Sequence, residues 1–291
     1  MRKPQIIIVG AGIAGAATAW SLKQAGIDDI LVIEKSNRPG AHASSKNAGI
    51  LRTSIEQPAI NHLAEESKMF YKNHSQEKIL TECGLFLTAQ KERNQKWLGA
   101  PNAEINDIKK FYPNFTPLAE NGHNAWFFED EGIINSEKLL KFFLRDVEVL
   151  CDSKVISLIK DDSSVYGIKT KKEAIECETV ILAQGGWANE LSSNAGTFLP
   201  KRRHLIISQS LTKVAKESPV VWNLGEKETY FRPFKGGLLL SLCDDTIVEP
   251  DHGEKVDSDL INRIKEKINY WFQTKEDVSI LDSWAGLRTF G

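Results

Sequence analysis

"IIIVGAGIAGAATAW", residues 6–20, runs four apolar residues into three glycines and then into an alanine-rich stretch. Ile6 to Val9 are continuous, branched and short, the pattern of a strand buried on both faces. Gly10, Gly12 and Gly15 form G-x-G-x-x-G, and Ile13 to Gln24 carry a helical pattern that Gly26 stops. A second branched run, Ile30 to Ile33, ends in Glu34. Strand, glycines, helix, strand and terminal acid in this register predict a βαβ unit that binds a dinucleotide. Gly10 permits the tight turn. Gly12 lets a diphosphate approach the free N–H groups at the helix start, and Gly15, with Ala14, Ala16 and Ala17, lets the helix sit close on the sheet. Glu34 accepts hydrogen bonds from ribose hydroxyls and disfavours a 2′-phosphate. The motif suits NAD and FAD alike.

The chain is 291 residues long, room for one large domain or two interleaved ones. Its 37 basic and 39 acidic residues leave a formal charge of −2, so nothing points to nucleic acid or an anionic membrane as partner. Cys83, Cys151, Cys177 and Cys243 lie far apart with no C-x-x-C spacing, which predicts reduced, mostly buried thiols rather than a zinc or redox site. The N-terminal apolar run is too short for a signal segment, and no stretch approaches a membrane span. The expectation is a cytoplasmic protein, with attachment at a membrane surface left open.

Beyond Glu34 the chain enters a loop of small polar residues, "KSNRPGAHASSKNAGILRT" (35–53). Ser44, Ser45 and Asn47 can donate to a phosphate or a flavin ring; an ordinary solvated connection is the alternative. A helix follows near Pro58, with Ile60, Leu63, Ala64, Ser67, Phe70 and Tyr71 on one face. Residues 154–177 read as three short strands. "VILAQGGWANEL" (180–191) then places Ala183, Gly185, Gly186 and Trp187 at the end of a branched strand, where open α/β sheets bind ligands. Cys83 to Phe128 reads as strands and loops, "FYPNFTP" (111–117) being turn-rich. Ser136 can cap a helix carrying Leu139, Leu140, Phe142 and Phe143. After Pro200 the pattern is β-rich: a strand from His204 to Leu211, and a hairpin of 228–234 with 237–243 across Lys235-Gly236. Asp257 can cap a helix that buries Leu260, Ile261, Ile264, Ile268, Trp271 and Phe272.

In order and spacing, G-A-G-I-A-G, Glu34, the S-S-K-N-A-G loop, "CGLFLTA" (83–89), "VILAQGGWA" (180–188), "PKRRH" (200–204), "TYFRPFKGGLLLS" (229–241) and "SWAGLRTF" (283–290) resemble the D-amino-acid oxidase-like superfamily of FAD-dependent oxidoreductases. The branch is that of D-amino-acid dehydrogenases and glycine and sarcosine oxidases; the last three segments look closest to D-arginine-dehydrogenase-like enzymes. The resemblance covers nearly the whole chain. It implies an α/β fold in which a glutathione-reductase-type FAD-binding Rossmann domain (1–75, 131–195, 284–291) is interleaved with a β-rich, α+β substrate domain (76–130, 196–283). It implies FAD contacts from Gly10, Gly12, Ile13, Ala14, Gly15, Glu34, Lys35, Ser44, Ser45, Asn47, Ala48, Gly49, Val155, Ala183, Gly185 and Trp187, and no metal. Arg288 matches the family's carboxylate-binding arginine. Tyr230 and Arg203 match a tyrosine and an arginine of the substrate pocket.

The plainer readings are an ordinary strand aromatic for Tyr230, a solvated basic turn for Lys201 to Arg203, and surface charge for Arg232, the reading favoured there. Where the related branch has a further pocket tyrosine, this chain has Leu51, which implies a less polar pocket on that side. His42 lies near the flavin loop. His62, His74, His123, His204 and His252 show no metal-ligand spacing and read as surface residues. The implied reaction is oxidation of an amino acid's C–N bond by hydride transfer to flavin N5, with hydrolysis of the imine. The alternatives are a non-catalytic or partner-dependent flavoprotein subunit, a secondary-amine oxidase including a tRNA-modifying type, and an NAD-only dehydrogenase. The chain ends shortly after "GLRTF", where relatives usually continue by several dozen residues, so an incomplete flavin-side wall is expected. Substrate side chain, chirality, electron acceptor and oligomeric state stay open.

Overall fold

The computed structural model describes residues 3–91, 95–115, 122–192, 198–209, 215, 217–224, 228–272 and 278–291. The fold is mixed α/β. Strands β1 (Ile6–Val9), β2 (Ile30–Ile33), β8 (Glu148–Leu150) and β12 (Thr179–Leu182) form a parallel sheet in the order β12-β1-β2-β8. Helix α1 (Ile13–Gln24) packs on one face, where Ile6, Ile8, Ile30 and Val32 meet Ala11 and Ala19. On the other face, Ile7, Val9, Leu31 and Ile33 meet Val155, Ile168 and Ile175 of the antiparallel strands β9 (Val155–Lys160), β10 (Val165–Thr170) and β11 (Ala174–Glu176). The central strands β1 and β2 are covered on both faces, which is why they read as unbroken apolar runs rather than alternating ones.

A short sheet joins β3 (Ile50–Leu51), β7 (Gly132–Ile134) and β4 (Leu80–Glu82). Helices α2 (Pro58–Asn73) and α4 (Ser136–Phe143) meet α1 through an aromatic cluster of Trp20, Phe70, Phe142 and Phe143. Only the C-terminal part of α2's apolar stripe is packed there: Ile60 and Leu63 are 47% and 60% exposed, against the expected face. Lys68 is buried instead, because its ammonium reaches Glu65 and Asp130 at 2.9 Å each and draws the polar side of the helix inward. The α4 cap is Asn135, whose side chain accepts from Lys138 N at 3.0 Å, so Ser136 is the first helical residue rather than the cap.

Among the described residues the largest sheet has eight strands. Its path runs through β17 (Thr246–Ile247), β13 (Leu199–Ser208), β16 (Gly237–Ser241), β15 (Thr229–Phe234), β14 (Val220–Leu224), β5 (Leu85–Gln90) and β6 (His123–Phe128), and β18 (Ile280–Phe290) also pairs with β13. Helix α5 (Ser258–Phe272) covers one face with Ile264, Ile268, Trp271 and Phe272 against Ile206, Phe231 and Leu240; each such side chain contributes about 1.5–3 kcal/mol when fully buried. The opposite face carries Leu205, Ile207, Tyr230 and Leu239 toward Ala48. Strand period therefore splits β15: Phe231 goes to the α5 core, Tyr230 to the other side. The β15–β16 hairpin turns on Lys235 and Gly236, both at positive φ (48° and 80°), as a two-residue type I′ turn requires. Asp257 caps α5, its carboxylate accepting from Asp259 N at 3.0 Å.

A short helix α3 (Ile105–Phe111), closed by reciprocal bonds between Glu104 and Asp107, lies in the region expected to hold only strands and loops. Tyr112 and Phe115, from the turn-rich "FYPNFTP", are almost fully buried beside Phe231. Residues 116–117 of that segment, and 210–211 at the end of the expected 204–211 strand, lie outside the described residues. The boundary placed at 284 falls inside β18, which pairs along β13 from Ile280 to Phe290 with one register shift near Asp282. Among the described residues no helix is long and apolar enough to cross a membrane.

Candidate functional site

Gly10 sits at φ +109°, and a Cβ there would lie 2.4 Å from the Ala183 carbonyl oxygen at the end of β12. The two strand ends meet only because no side chain intervenes. At Gly15 a Cβ would lie 2.0 Å from the Gly10 oxygen, so α1 owes its close seat to that position. Gly12 differs, since its hypothetical Cβ meets nothing nearer than Ser44 Oγ at 3.2 Å. The room at Gly12 faces a cavity. The α1 start has no cap from its own N-cap residue; Ser44 Oγ accepts from Ile13 N at 2.8 Å and keeps its own proton to give.

This first cavity, about 210 Å³, is lined by Gly10, Gly12, Ile13, Ala14, Glu34, Lys35, Ser44, Val155, Ala183, Gly185 and Trp187, all expected cofactor residues. Glu34 is buried at its base. One carboxylate oxygen accepts from Ala11 N at 2.9 Å and the other from Ser36 N at 2.8 Å, which fixes the carboxylate and leaves lone pairs on both oxygens. Lys35 Nζ lies 2.9 Å from the centroid of Trp187, whose indole N–H donates to Asp251 at 2.7 Å. Burial lowers the Lys35 pKa.

A second cavity, about 430 Å³, shares Ile13, Ala43, Ser44 and Leu287 with the first. It is lined by Asn47, Ala48 and Gly49 of the small-residue loop and by all three expected substrate residues, Arg203, Tyr230 and Arg288. Asn47 organises the loop: its amide N–H₂ donates to Ser44 O at 2.7 Å and its oxygen accepts from Gly49 N at 2.7 Å. Gly15 and Ser45 line neither cavity; the Ser45 hydroxyl turns back to Ala41 O at 3.2 Å.

The three substrate-side residues differ in freedom. Arg203 is committed, donating from Nη2 to Asp245 at 2.9 Å and Cys243 O at 3.3 Å. Tyr230 is buried against Trp222, ring centroids 4.7 Å apart, and burial drives its hydroxyl pKa far upward, so it stays a protonated donor. Arg288 is exposed at the cavity wall, stacked on Phe290 at 4.9 Å, and among the described residues no carboxylate pairs with it. Leu51 is buried and does not line the cavity; its neighbour Ile50 does. Among the described residues neither Asp nor Glu lines this second cavity.

Two surface expectations fail. Arg232 is 6% exposed, because it shares the inner face of β15 with Tyr230 and donates from Nε to Ala48 O at 2.7 Å. His204 is 1% exposed: its Nδ1 meets Asp244 at 2.7 Å while Nε2 accepts from Asp257 N at 2.9 Å, tying the turn that holds Arg203 to the start of α5. His42 lines the first cavity, and Glu254 bridges it (3.1 Å) to Lys46, clamping the 42–46 stretch of the loop to one carboxylate. Trp222 and Leu287, both lining residues, escaped sequence reading; an apolar residue in a strand carries no mark of the cavity it faces. No cluster of potential metal ligands occurs among the described residues.

The glycine cradle, the helix start and the anchored Glu34 fit a dinucleotide: room at Gly12 for a diphosphate, a carboxylate for ribose, and a neighbouring cavity that shares Ser44 and reaches Arg288. Comparison with known proteins agrees. Glycine oxidase of Pseudomonas aeruginosa is 26% identical over 219 residues, 67% of this chain and 59% of that protein. The mitochondrial pyruvate dehydrogenase phosphatase regulatory subunit of Mus musculus is 24% identical over 264 residues, 81% of this chain and 29% of that protein. This chain spans about a third of the length of several such relatives. The crystal structure of L-proline dehydrogenase from P. horikoshii superposes with a TM-score of 0.84 at 19% identity, covering 98% of this chain and 81% of that one. A family model described as "DAO: FAD dependent oxidoreductase" matches residues 5–290, and the chain belongs to that family.

Proposed function

We propose that this protein binds FAD along the two joined cavities and oxidises the C–N bond of an amino acid or small N-substituted amino acid with a neutral side chain. The observation that carries the reading is the shared wall of Ile13, Ala43, Ser44 and Leu287, which puts the α1 start and Arg288 in one crevice. The glycine and sarcosine oxidases among its relatives support the reaction class. FAD, when bound, supplies the hydride acceptor.

The protein's own residues supply orientation. Arg288, free of carboxylate partners among the described residues, presents a planar fork to the substrate carboxylate. Tyr230, whose hydroxyl burial keeps protonated and which is hydrogen-bonded to Ser241, shapes the cavity wall. Arg203, held by Asp245, shapes the wall and adds positive field rather than gripping the substrate directly. Among the described residues lysine and arginine line this cavity without an acid, so a cationic side chain is disfavoured and a neutral substrate is favoured over a D-arginine-like one. Among the described residues no carboxylate or histidine lines the substrate cavity, so the ammonium proton leaves to water and the substrate enters as the free amine.

The test is anaerobic bleaching of the FAD-loaded protein by a panel of D- and L-amino acids and N-methyl amines. Neutral amino acids should bleach it and cationic ones should not, with the bleaching rate rising with pH toward the pKa of the substrate amine. A protein that takes up no FAD refutes the reading. One that binds FAD but is bleached by nothing in the panel supports a non-catalytic role, the second reading favoured by the match to a regulatory subunit over 81% of the chain.

A further inference from the structure

Arg232 is a buried cation that no carboxylate pairs with among the described residues. It is 6% exposed, and among the described residues the arginines in ion pairs are Arg145, Arg202 and Arg203. Two of its nitrogens donate to neutral oxygens, Nε to Ala48 O at 2.7 Å and Nη1 to Pro233 O at 3.0 Å, and its guanidinium lies 4.8 Å from the Phe234 ring centroid. The ionisable groups that act on it are Cys83, Tyr230 and Tyr112. Burial raises the pKa of all three, so all are neutral near pH 7. The same burial lowers Arg232 to about 10, still well above neutrality. Burying an unpaired charge costs several kcal/mol, and an apolar residue would fill this space without that cost.

The location bears on what the charge is for. Ala48, whose carbonyl Arg232 holds, lines the second cavity, and so does Tyr230, two residues earlier on the same strand face. The guanidinium therefore lies one peptide layer behind the cavity wall, inside the low-dielectric body of the protein, where its field is poorly screened. We propose that Arg232 is the fixed countercharge for the flavin ring: it favours the reduced ring, which gains a negative charge when a hydride arrives from the substrate carbon, over the neutral oxidised ring. The inference rests on the FAD reading above. Arg232 touches neither substrate nor reacting atoms; it acts through the Ala48 peptide and through space.

The experiment compares FAD-loaded wild type with Arg232→Gln, which keeps a donor for Ala48 O without the charge, and Arg232→Lys, which keeps the charge. Two readouts need no turnover: the flavin midpoint potential by dye equilibration, and sulfite affinity, since the sulfite adduct also places negative charge on the ring. Arg232→Gln should have a lower potential and bind sulfite about tenfold or more weakly, while Arg232→Lys recovers most of both. Equal potential and sulfite affinity in wild type and Arg232→Gln would overturn the proposal. So would an Arg232→Lys variant that holds flavin but behaves like Arg232→Gln, or loss of flavin or of folding in both variants, which would mark Arg232 as a structural tie. Wild type that binds no FAD refutes the functional reading itself; wild type that is bleached by substrate, with a potential indifferent to Arg232→Gln, refutes only this inference.

Discussion

Gly10 and Gly12 stand two residues apart in one loop, and the same substitution should do opposite things to them. In Gly10→Ala the new Cβ falls 2.4 Å from the Ala183 carbonyl oxygen, with φ at +109°, a region closed to alanine. Backbone strain of about 1–3 kcal/mol adds to an overlap that only separation of β1 from β12 can relieve, about 1–3 kcal/mol more. For a chain of this size a combined loss of about 2–6 kcal/mol lowers the midpoint of thermal unfolding by roughly 4–24 °C. In Gly12→Ala the backbone is extended (φ −73°, ψ −179°) and the Cβ meets only Ser44 Oγ at 3.2 Å. Reduced unfolded-state entropy offsets that contact, so the FAD-free protein should unfold within about 1 kcal/mol of wild type. The methyl group, however, occupies the approach to the first N–H groups of α1. Losing one charge-assisted contact there, about 1.5–3 kcal/mol, weakens FAD binding roughly 10- to 150-fold. Thermal unfolding of the FAD-free proteins and calorimetric FAD titration separate the two effects. A Gly12→Ala protein that binds FAD as wild type does, or a Gly10→Ala protein of unchanged stability, would refute this division of labour.

Arg288→Ala should raise KM for an amino acid, or Kd for a carboxylate inhibitor, by about tenfold or more while flavin stays bound; flavin loss in place of substrate weakening counts against the assignment. Burial alone would raise the Glu254 carboxyl, but His42 and Lys46 outweigh it and hold its pKa below the usual glutamate range. The clamp's stabilisation is thus complete above that range and lost as pH falls through the lowered value. Denaturant titrations should show wild type ahead of Glu254→Gln by about 1 kcal/mol near neutral pH and the gap closing in acid; a constant gap would disprove the linkage. His204→Phe removes both ties between the Arg203 turn and α5, so it should cost about 2–3 kcal/mol in unfolding free energy and raise KM with kcat less affected. Unchanged stability there would mean that the His204–Asp244 pair contributes little.

Residues 6–34 needed no tertiary information. Glycine spacing, branched strands and a terminal acid express local constraints, and the helix occupies Ile13–Gln24 as its pattern requires. The same is true of the Lys235-Gly236 hairpin and the Asp257 cap, each a backbone requirement met by adjacent residues. Only the folded chain settled which charges lie inside. Arg232 and His204 are ordinary strand residues in one dimension; they are buried because β15 and β13 turn those positions toward Ala48 and Asp244, 184 and 40 residues away in sequence. The α2 stripe went astray for the converse reason, since Lys68 found partners at Asp130 and outweighed the hydrophobic pattern. The crevice is likewise a tertiary object, since the pairing of β18 with β13 brings Leu287 and Arg288 to the cavity that Ser44 also lines. What a residue does within its own turn, strand or cap can be read from its neighbours in the chain. What it faces depends on long-range register, which no local pattern encodes.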